Sequence, residues 1–259
     1  MNIKKKQRLS IVAWLVITAL VVCILLFVSW LWYIGRYEGV DLDPPVGFEA
    51  FHETSYYKIN PERILMSLDL GEENVFTPEI ATPENPIFEQ PFSWHQADYL
   101  KIASALHQFA WKEPLNDWNL YSMHFNTACR DNPDGFGFGE FVYFKIIPYK
   151  IWLKDYEVQG LQIAPQYGNV GSGGSEYYPG PLFGGWKSID LDKVKVTAEE
   201  ALRIGEENGG QAARLSVQNN CTIRVRLSGY SGWWVRITEN DTASEVFSLE
   251  IDPYTGKIK

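Results

Sequence analysis

The residues of this 259-residue chain that could do chemistry are a glycine-flanked serine, four histidines, an acidic turn and a group of arginines. Gly229-Tyr230-Ser231-Gly232-Trp233 approaches the Gly-x-Ser-x-Gly turn that presents a nucleophilic serine, but it lacks the final glycine. The glycine-rich run from Gly168 to Gly185 has neither the phosphate-loop nor the dinucleotide spacing, and it reads as a surface loop. His52, His95, His107 and His124 never take the i, i+4 pairing beside a glutamate that zinc proteases use, so solvated or capping roles are expected. Asp131-Asn132-Pro133-Asp134-Gly135 lacks the alternating ligands and distant glutamate of a calcium loop and reads as a hairpin turn. No catalytic residue, metal ligand or cofactor is therefore assigned.

One constellation remains. Arg224, Arg226 and Arg236 fall on the polar side of strand-like alternations, with Trp234 among them. They form either a solvated face whose arginines pair with Glu250 across strands, or a docking face, since arginine and tryptophan are enriched at binding hot spots. Two further residues have a chemical option of their own. Cys129 and Cys221 could be oxidised to a disulfide in an exported domain, or remain two separate thiols; spacing does not decide.

The elements that must position these residues follow from composition and periodicity. Three cysteines exclude a disulfide-dense miniprotein, and a formal charge of −9 with a pI near 5.0 excludes a basic nucleic-acid-binding surface. With 46% hydrophobic and 15% aromatic residues, the chain has the material for a packed core. The charge is unevenly spread: residues 1–36 carry 5 positive charges, residues 37–92 carry 2 − 12 = −10, and residues 93–259 carry 16 − 20 = −4.

Leu9 to Gly35 is 27 residues without a charge, behind Lys4, Lys5, Lys6 and Arg8. About 20 apolar residues cross a bilayer, and the run ends in Ser29-Trp30-Leu31-Trp32-Tyr33, too bulky for a signal-peptidase site. An uncleaved transmembrane helix over residues 9–35 is expected, touching the lipid bilayer, with residues 1–8 as a basic cytoplasmic tail and all that follows Arg36 outside. Residues 36–92 hold 7 of the 14 prolines and most of the acidic excess. They read as an acidic spacer with one short helix from Asn60-Pro61-Glu62 to Leu70, or as a segment that docks a partner through its aromatic residues.

Beyond residue 93 the pattern repeats. Ser93-Trp94-His95-Gln96 has capping-box spacing, and Tyr99, Ile102, Ala103, Leu106 and Phe109 recur at helical spacing. Strands follow at Trp118–Phe125, Gly137–Ile147 and Tyr156–Ile163. A second capping box, Thr197 to Glu200, opens a helix ended by Gly209-Gly210, and again three alternating strands follow. Val158, Leu161, Ile163, Pro165 and Gly168 stand 88 residues before Val246, Leu249, Ile251, Pro253 and Gly256. Common turn chemistry explains part of that match; internal duplication explains the shared order of elements.

The second unit resembles the PepSY domain family. The likeness rests on Thr197-Ala-Glu-Glu-Ala-Leu-Arg-Ile-Gly in the helix, Gly232-Trp233-Trp234-Val235-Arg236-Ile237 in the middle strand and Leu249-Glu-Ile251-Asp252-Pro253-Tyr-Thr255-Gly256-Lys257 at the end. It covers Val194 to Lys259 well and Ser93 to Val170 weakly, where Ala164 replaces Asp252 and Tyr167 replaces Thr255. The resemblance implies a cystatin-like sheet around a helix, exported or membrane-anchored, non-enzymatic, in a family sometimes associated with protease inhibition or envelope regulation. The expected architecture is α+β: a transmembrane helix, then two tandem αβββ units at 93–186 and 187–259, each an antiparallel sheet packed on a helix.

Three functions fit these residues. The first is a single-pass module in a bacterial plasma membrane, its domains extracytoplasmic, that binds an envelope protein such as a peptidase and no nucleic acid. The second is a sensor holding a small molecule or glycan between the units, against Trp118, Phe141 and Tyr143. The third is an enzyme with an unrecognised site. Protease added to intact cells or right-side-out vesicles should digest residues 93–259; their protection would reverse the expected orientation.

Overall fold

A computed structural model describes residues 3–36, 47–48, 51–80, 84–88, 94–130, 133–149, 153–180 and 185–259. The chain divides into two compact units, Met1–Asp43 and Pro44–Lys259. The first contains helix α1 (Ile3–Arg36). Within it Ala13–Tyr33, 21 residues of mean hydropathy 2.7, is long and apolar enough to cross a membrane. Cys23 lies in this stretch as a free thiol.

The second unit is α+β and is built on one antiparallel sheet. In chain order its elements are β1 (Thr54–Lys58), α2 (Ile64–Asp69), β2 (Thr77–Glu79), α3 (Gln96–Trp111), β3 (Asn119–Ala128), β4 (Phe138–Tyr149), β5 (Leu153–Ala164), β6 (Asn169–Gly173), β7 (Glu176–Pro179), α4 (Ala198–Gly205), α5 (Gln211–Ser216), β8 (Cys221–Ser228), β9 (Trp233–Glu239) and β10 (Glu245–Ile251). The strands lie in the order β10-β9-β8-β3-β4-β5-β6-β1-β2, with β7 on the far part of β5. The six strands read from the sequence therefore form, instead of two separate sheets, one sheet joined by the β3–β8 ladder, which runs from Ser122 opposite Ser228 to Ala128 opposite Thr222.

Period-two alternation puts one apolar face of this sheet under the helices. Met123, Phe125, Phe141, Leu161 and Ile163 from one half, and Ile223, Val225, Trp233, Val235 and Ile237 from the other, share a single core with Tyr99, Ile102 and Leu106 of α3 and Ala198, Ala201 and Leu202 of α4. The two helix starts also bind each other. The Ala198 backbone N–H donates to Gln96 Oε1 at 2.8 Å, and the Gln96 backbone N–H donates to the Glu199 carboxylate. Each helix thus supplies an acceptor for a backbone donor that the other's first turn leaves unpaired.

Several local expectations shift. Helix α3 starts at Gln96, with His95 at the cap position and its N–H donating to Asp98 Oδ2 at 2.9 Å; Ser93 lies outside the described residues. Thr197 caps α4 through Oγ1, which accepts from the Glu200 N–H at 3.3 Å. The glycine break is real but does not end the helical region: the backbone kinks at Asn208 and Gly209, where φ is −106° and 116°, and α5 continues. The two stretches 88 residues apart do share a local conformation. Gly168 and Gly256 both close a turn at positive φ, 62° and 73°, as glycine readily does.

The segment read as an acidic spacer supplies β1, α2 and β2, and β1 pairs with β6 along its whole length. Correspondingly, the glycine-rich run begins as a buried strand, β6, where a surface loop was expected. Glycine is the reason. A Cβ on Gly171 would stand 2.9 Å from the Phe48 ring, one on Gly173 2.6 Å from the Phe51 ring, and one on Gly160 of β5 2.2 Å from Phe51. Absent side chains let these aromatic rings lie flat on the strands. Together with Tyr121, Val142, Phe144, Tyr156, Val158 and Trp186, Phe51 forms a second core on the face away from the helices, where Tyr156 and Trp186 stack at 4.6 Å.

Cys129 and Cys221 are bridged, with their Cα atoms 5.2 Å apart. The bond sits where β3 ends and β8 begins, beside the hydrogen bond from the Cys129 N–H to the Cys221 carbonyl at 2.9 Å. It closes a loop spanning 92 positions, and cross-links of that length constrain the unfolded chain strongly. Replacing both cysteines by alanine should lower the unfolding free energy by about 2–4 kcal/mol, measured by urea titration of the full chain in lipid nanodiscs; an unchanged midpoint would show that the ladder holds without the bridge.

Candidate functional site: an arginine-lined pocket on the open face of the sheet

The face away from the helices has two parts. Over β4 and β5 it is covered by Phe51 and Trp186. Over β3, β8, β9 and the start of β4 a pocket of about 360 Å³ remains, whose walls are His124, Glu140, Arg224, Arg226, Ser228, Ser231, Trp234 and Arg236, with Gly47 at its border. Alternation explains the composition. Arg224, Arg226 and Ser228 are every second residue of β8, and Trp234 and Arg236 are every second residue of β9. Register brings them together: Arg226 lies opposite both Trp234 and His124, Arg224 lies opposite Arg236, and His124 lies opposite Glu140.

All four residues read from the sequence as a docking face, Arg224, Arg226, Trp234 and Arg236, therefore converge on one pocket. The expected pairing with Glu250 does not form. Glu250 instead takes Lys259 Nζ at 2.9 Å and the Gly232 N–H at 3.2 Å, and the lysine, chiefly, holds its carboxyl below the usual range. Only Arg236 is neutralised, its Nε 2.6 Å from Glu245 Oε2, while its guanidinium lies 5.9 Å from the Trp234 ring centre. Among the described residues Arg224 and Arg226 have no ion-pair partner, and Arg226 Nε is buried without an acceptor. Burial pushes the Arg226 guanidinium down from its usual range; Arg224 and Arg236 act in the same direction, and Tyr121 and Glu140 oppose them.

Sequence reasoning missed the half of the pocket that comes from the other strands. His124 Nε2 is 2.7 Å from Asn126 Oδ1, and its Nδ1 is 3.6 Å from Glu140 Oε1, a carboxylate that is 5% exposed. Ser231 Oγ lies 2.8 Å from Ser228 Oγ. The polar positions His124 and Asn126 between Met123 and Phe125 were a visible signal of a polar face, but nothing local says that β3 borders β8. The Gly229 and Gly232 that flank Ser231 have a packing reason: an added Cβ would meet the Lys187 carbonyl oxygen at 1.8 Å and the Ile251 carbonyl oxygen at 2.3 Å.

The other candidates disperse. His52 pairs with Glu176 at 2.9 Å. His107 is fully buried among Trp111, Trp118 and Tyr143, and burial pushes its imidazole pKa down. Among the described residues no three His, Cys, Asp or Glu side chains gather as a metal site would require. The acidic turn lies partly outside the described residues, and its Asp134 binds Arg130 at 3.0 Å. Of the aromatics expected to line a cleft between units, all three are buried, and Trp118 and Tyr143 border a depression of about 570 Å³ shared with Ser188–Asp192. No family model, curated protein or solved structure matches the chain.

An unpaired, half-buried arginine with Arg224 and Arg236 on the same face weakens the fold, because neighbouring like charges repel and desolvation is uncompensated. Arg226→Met should therefore stabilise the isolated protein by about 1 kcal/mol, seen as a higher thermal midpoint; a lower midpoint would show that the guanidinium serves the structure.

Proposed function

We propose that this chain is a single-pass, membrane-anchored interaction module without catalytic activity, whose extracytoplasmic part is two PepSY-like αβββ units joined edge to edge, and which docks an acidic surface of an envelope protein on its arginine pocket. The supporting observation is the pair of guanidinium groups, Arg224 and Arg226, that have no carboxylate partner among the described residues and stand on an open sheet face. Charged pockets of this kind steer and select partners of opposite sign. The edge-to-edge β3–β8 seam supports the reading further. Its ladder sets Ser122–Ala128 against Thr222–Ser228, so the polar face above it presents side chains of both three-strand runs together. Lys4, Lys5 and Lys6, ahead of the apolar stretch Ala13–Tyr33, support the outward orientation by the positive-inside rule.

The test is a photo-crosslinker placed at Tyr230, beside the pocket, in the native membrane. Arg224→Gln, Arg226→Gln and Trp234→Ala together should abolish the crosslinked adduct, and each arginine change alone should weaken capture about tenfold, the equivalent of about 1.4 kcal/mol. Capture should also fall steeply as salt is raised. An adduct that persists in the triple variant, with the Cys129–Cys221 bond still formed, would overturn the docking role.

A further inference from the structure

The chemistry of the pocket narrows what it recognises. Among the described residues Arg224 and Arg226 have no ion-pair partner, Glu245 pairs with Arg236, and the almost entirely buried Glu140 carboxylate faces His124, so cations outnumber anions in the lining. An anion that offers several acceptor oxygens can take bonds from both guanidinium groups, and a tetrahedral oxyanion offers more of them than a carboxylate does. Donor geometry agrees. Each guanidinium presents five N–H groups in a rigid fork suited to phosphate oxygens. Arg224 and Arg226 stand on the same face of β8, about 7 Å apart along the strand, so one phosphate between them can take bonds from both. The Ser228–Ser231 hydroxyl pair contributes a further donor at the wall, and buried Arg226 Nε has no acceptor within the described residues. At about 360 Å³ the pocket exceeds a bare phosphate and leaves room for an attached organic group against Trp234.

We infer that the pocket is a binding site for a phosphate monoester group, gripped by Arg224 and Arg226 and backed by the Ser228 and Ser231 hydroxyls. This rests on the same face being a binding face, and it names the group that the face accepts. The phosphate could be carried by a soluble ester or by a lipid headgroup, and the two differ in one measurable respect.

The test uses the full-length chain in nanodiscs of zwitterionic lipid, titrated with inorganic phosphate at constant ionic strength and followed by calorimetry and thermal unfolding. Phosphate should bind saturably at one site and raise the thermal midpoint, sulfate should do so to a similar extent, and acetate and chloride should not. Arg224→Gln and Arg226→Gln should each weaken phosphate binding at least tenfold, whereas Lys195→Gln, which removes an exposed cation outside the pocket, should change it less than threefold. In nanodiscs containing phosphatidic acid, phosphate binding disappears if the lipid headgroup fills the pocket and is unchanged if the natural ligand is a soluble ester; either result supports a phosphate site. An equal response to acetate or chloride, or phosphate binding undiminished in Arg226→Gln, overturns it. The crosslinking experiment separates the two readings: arginine-dependent capture with no phosphate binding sinks this inference alone, and phosphate binding with arginine-independent capture sinks the docking role alone.

Discussion

The pairing of β3 with β8 is the interaction on which the rest of the domain depends. Those two strands are the junction of the two three-strand runs, and their ladder turns β3-β4-β5 and β8-β9-β10 into one sheet. The Cys129–Cys221 bond locks the end of that ladder, and the exchange of backbone bonds between the Gln96 and Ala198 ends of the two helices repeats the link in the layer above. With the seam fixed twice, the apolar face of all six strands becomes one continuous core under α3 and α4. Without it, two small sheets would each present an unpaired edge, which folded proteins avoid.

The same junction decides what the opposite face becomes. Period-two alternation obliges every strand with an apolar side to present a second side, and here that side has two fates. Across β4 and β5 it is itself apolar and is sealed by Phe51 and Trp186. Across β8, β9, β3 and the Glu140 end of β4 it carries arginines, a tryptophan and a histidine–glutamate pair and stays open. Register then imposes a cost: Arg224 must stand opposite Arg236, with Arg226 two positions away on the same face. Glu245 relieves only Arg236. The described residues of this face set three arginines against Glu140 and Glu245, an excess of positive charge that gives the pocket a positive field.

The acidic, proline-rich segment shows where composition misleads. Prolines and acids over residues 36–92 argue against regular structure, yet the five residues of β1 between them are enough to extend the sheet. The partner strand, β6, is rich in glycine and for that reason looks like a loop, although the missing side chains are what admit the rings of Phe48 and Phe51. Both misreadings have one cause. A short strand at the margin of a sheet is stabilised by neighbours distant in sequence, and local propensity carries little information about them.

The amino-acid order by itself determined those features that depend on local periodicity and chemistry: an apolar helix of bilayer length, a helix before each run of three strands, the break at Gly209, and the arginines and Trp234 on one side of their strands. Their physical basis is the fixed period of each backbone conformation, which is written directly into residue spacing. Only the tertiary structure decided that the strands form one sheet, that Cys129 meets Cys221, and that His124, Glu140 and the two serines close a pocket around the arginines. Those outcomes follow from which strand edges pair and in what register, and residues about 100 positions apart, such as His124 and Arg226, meet only after the whole ladder has formed.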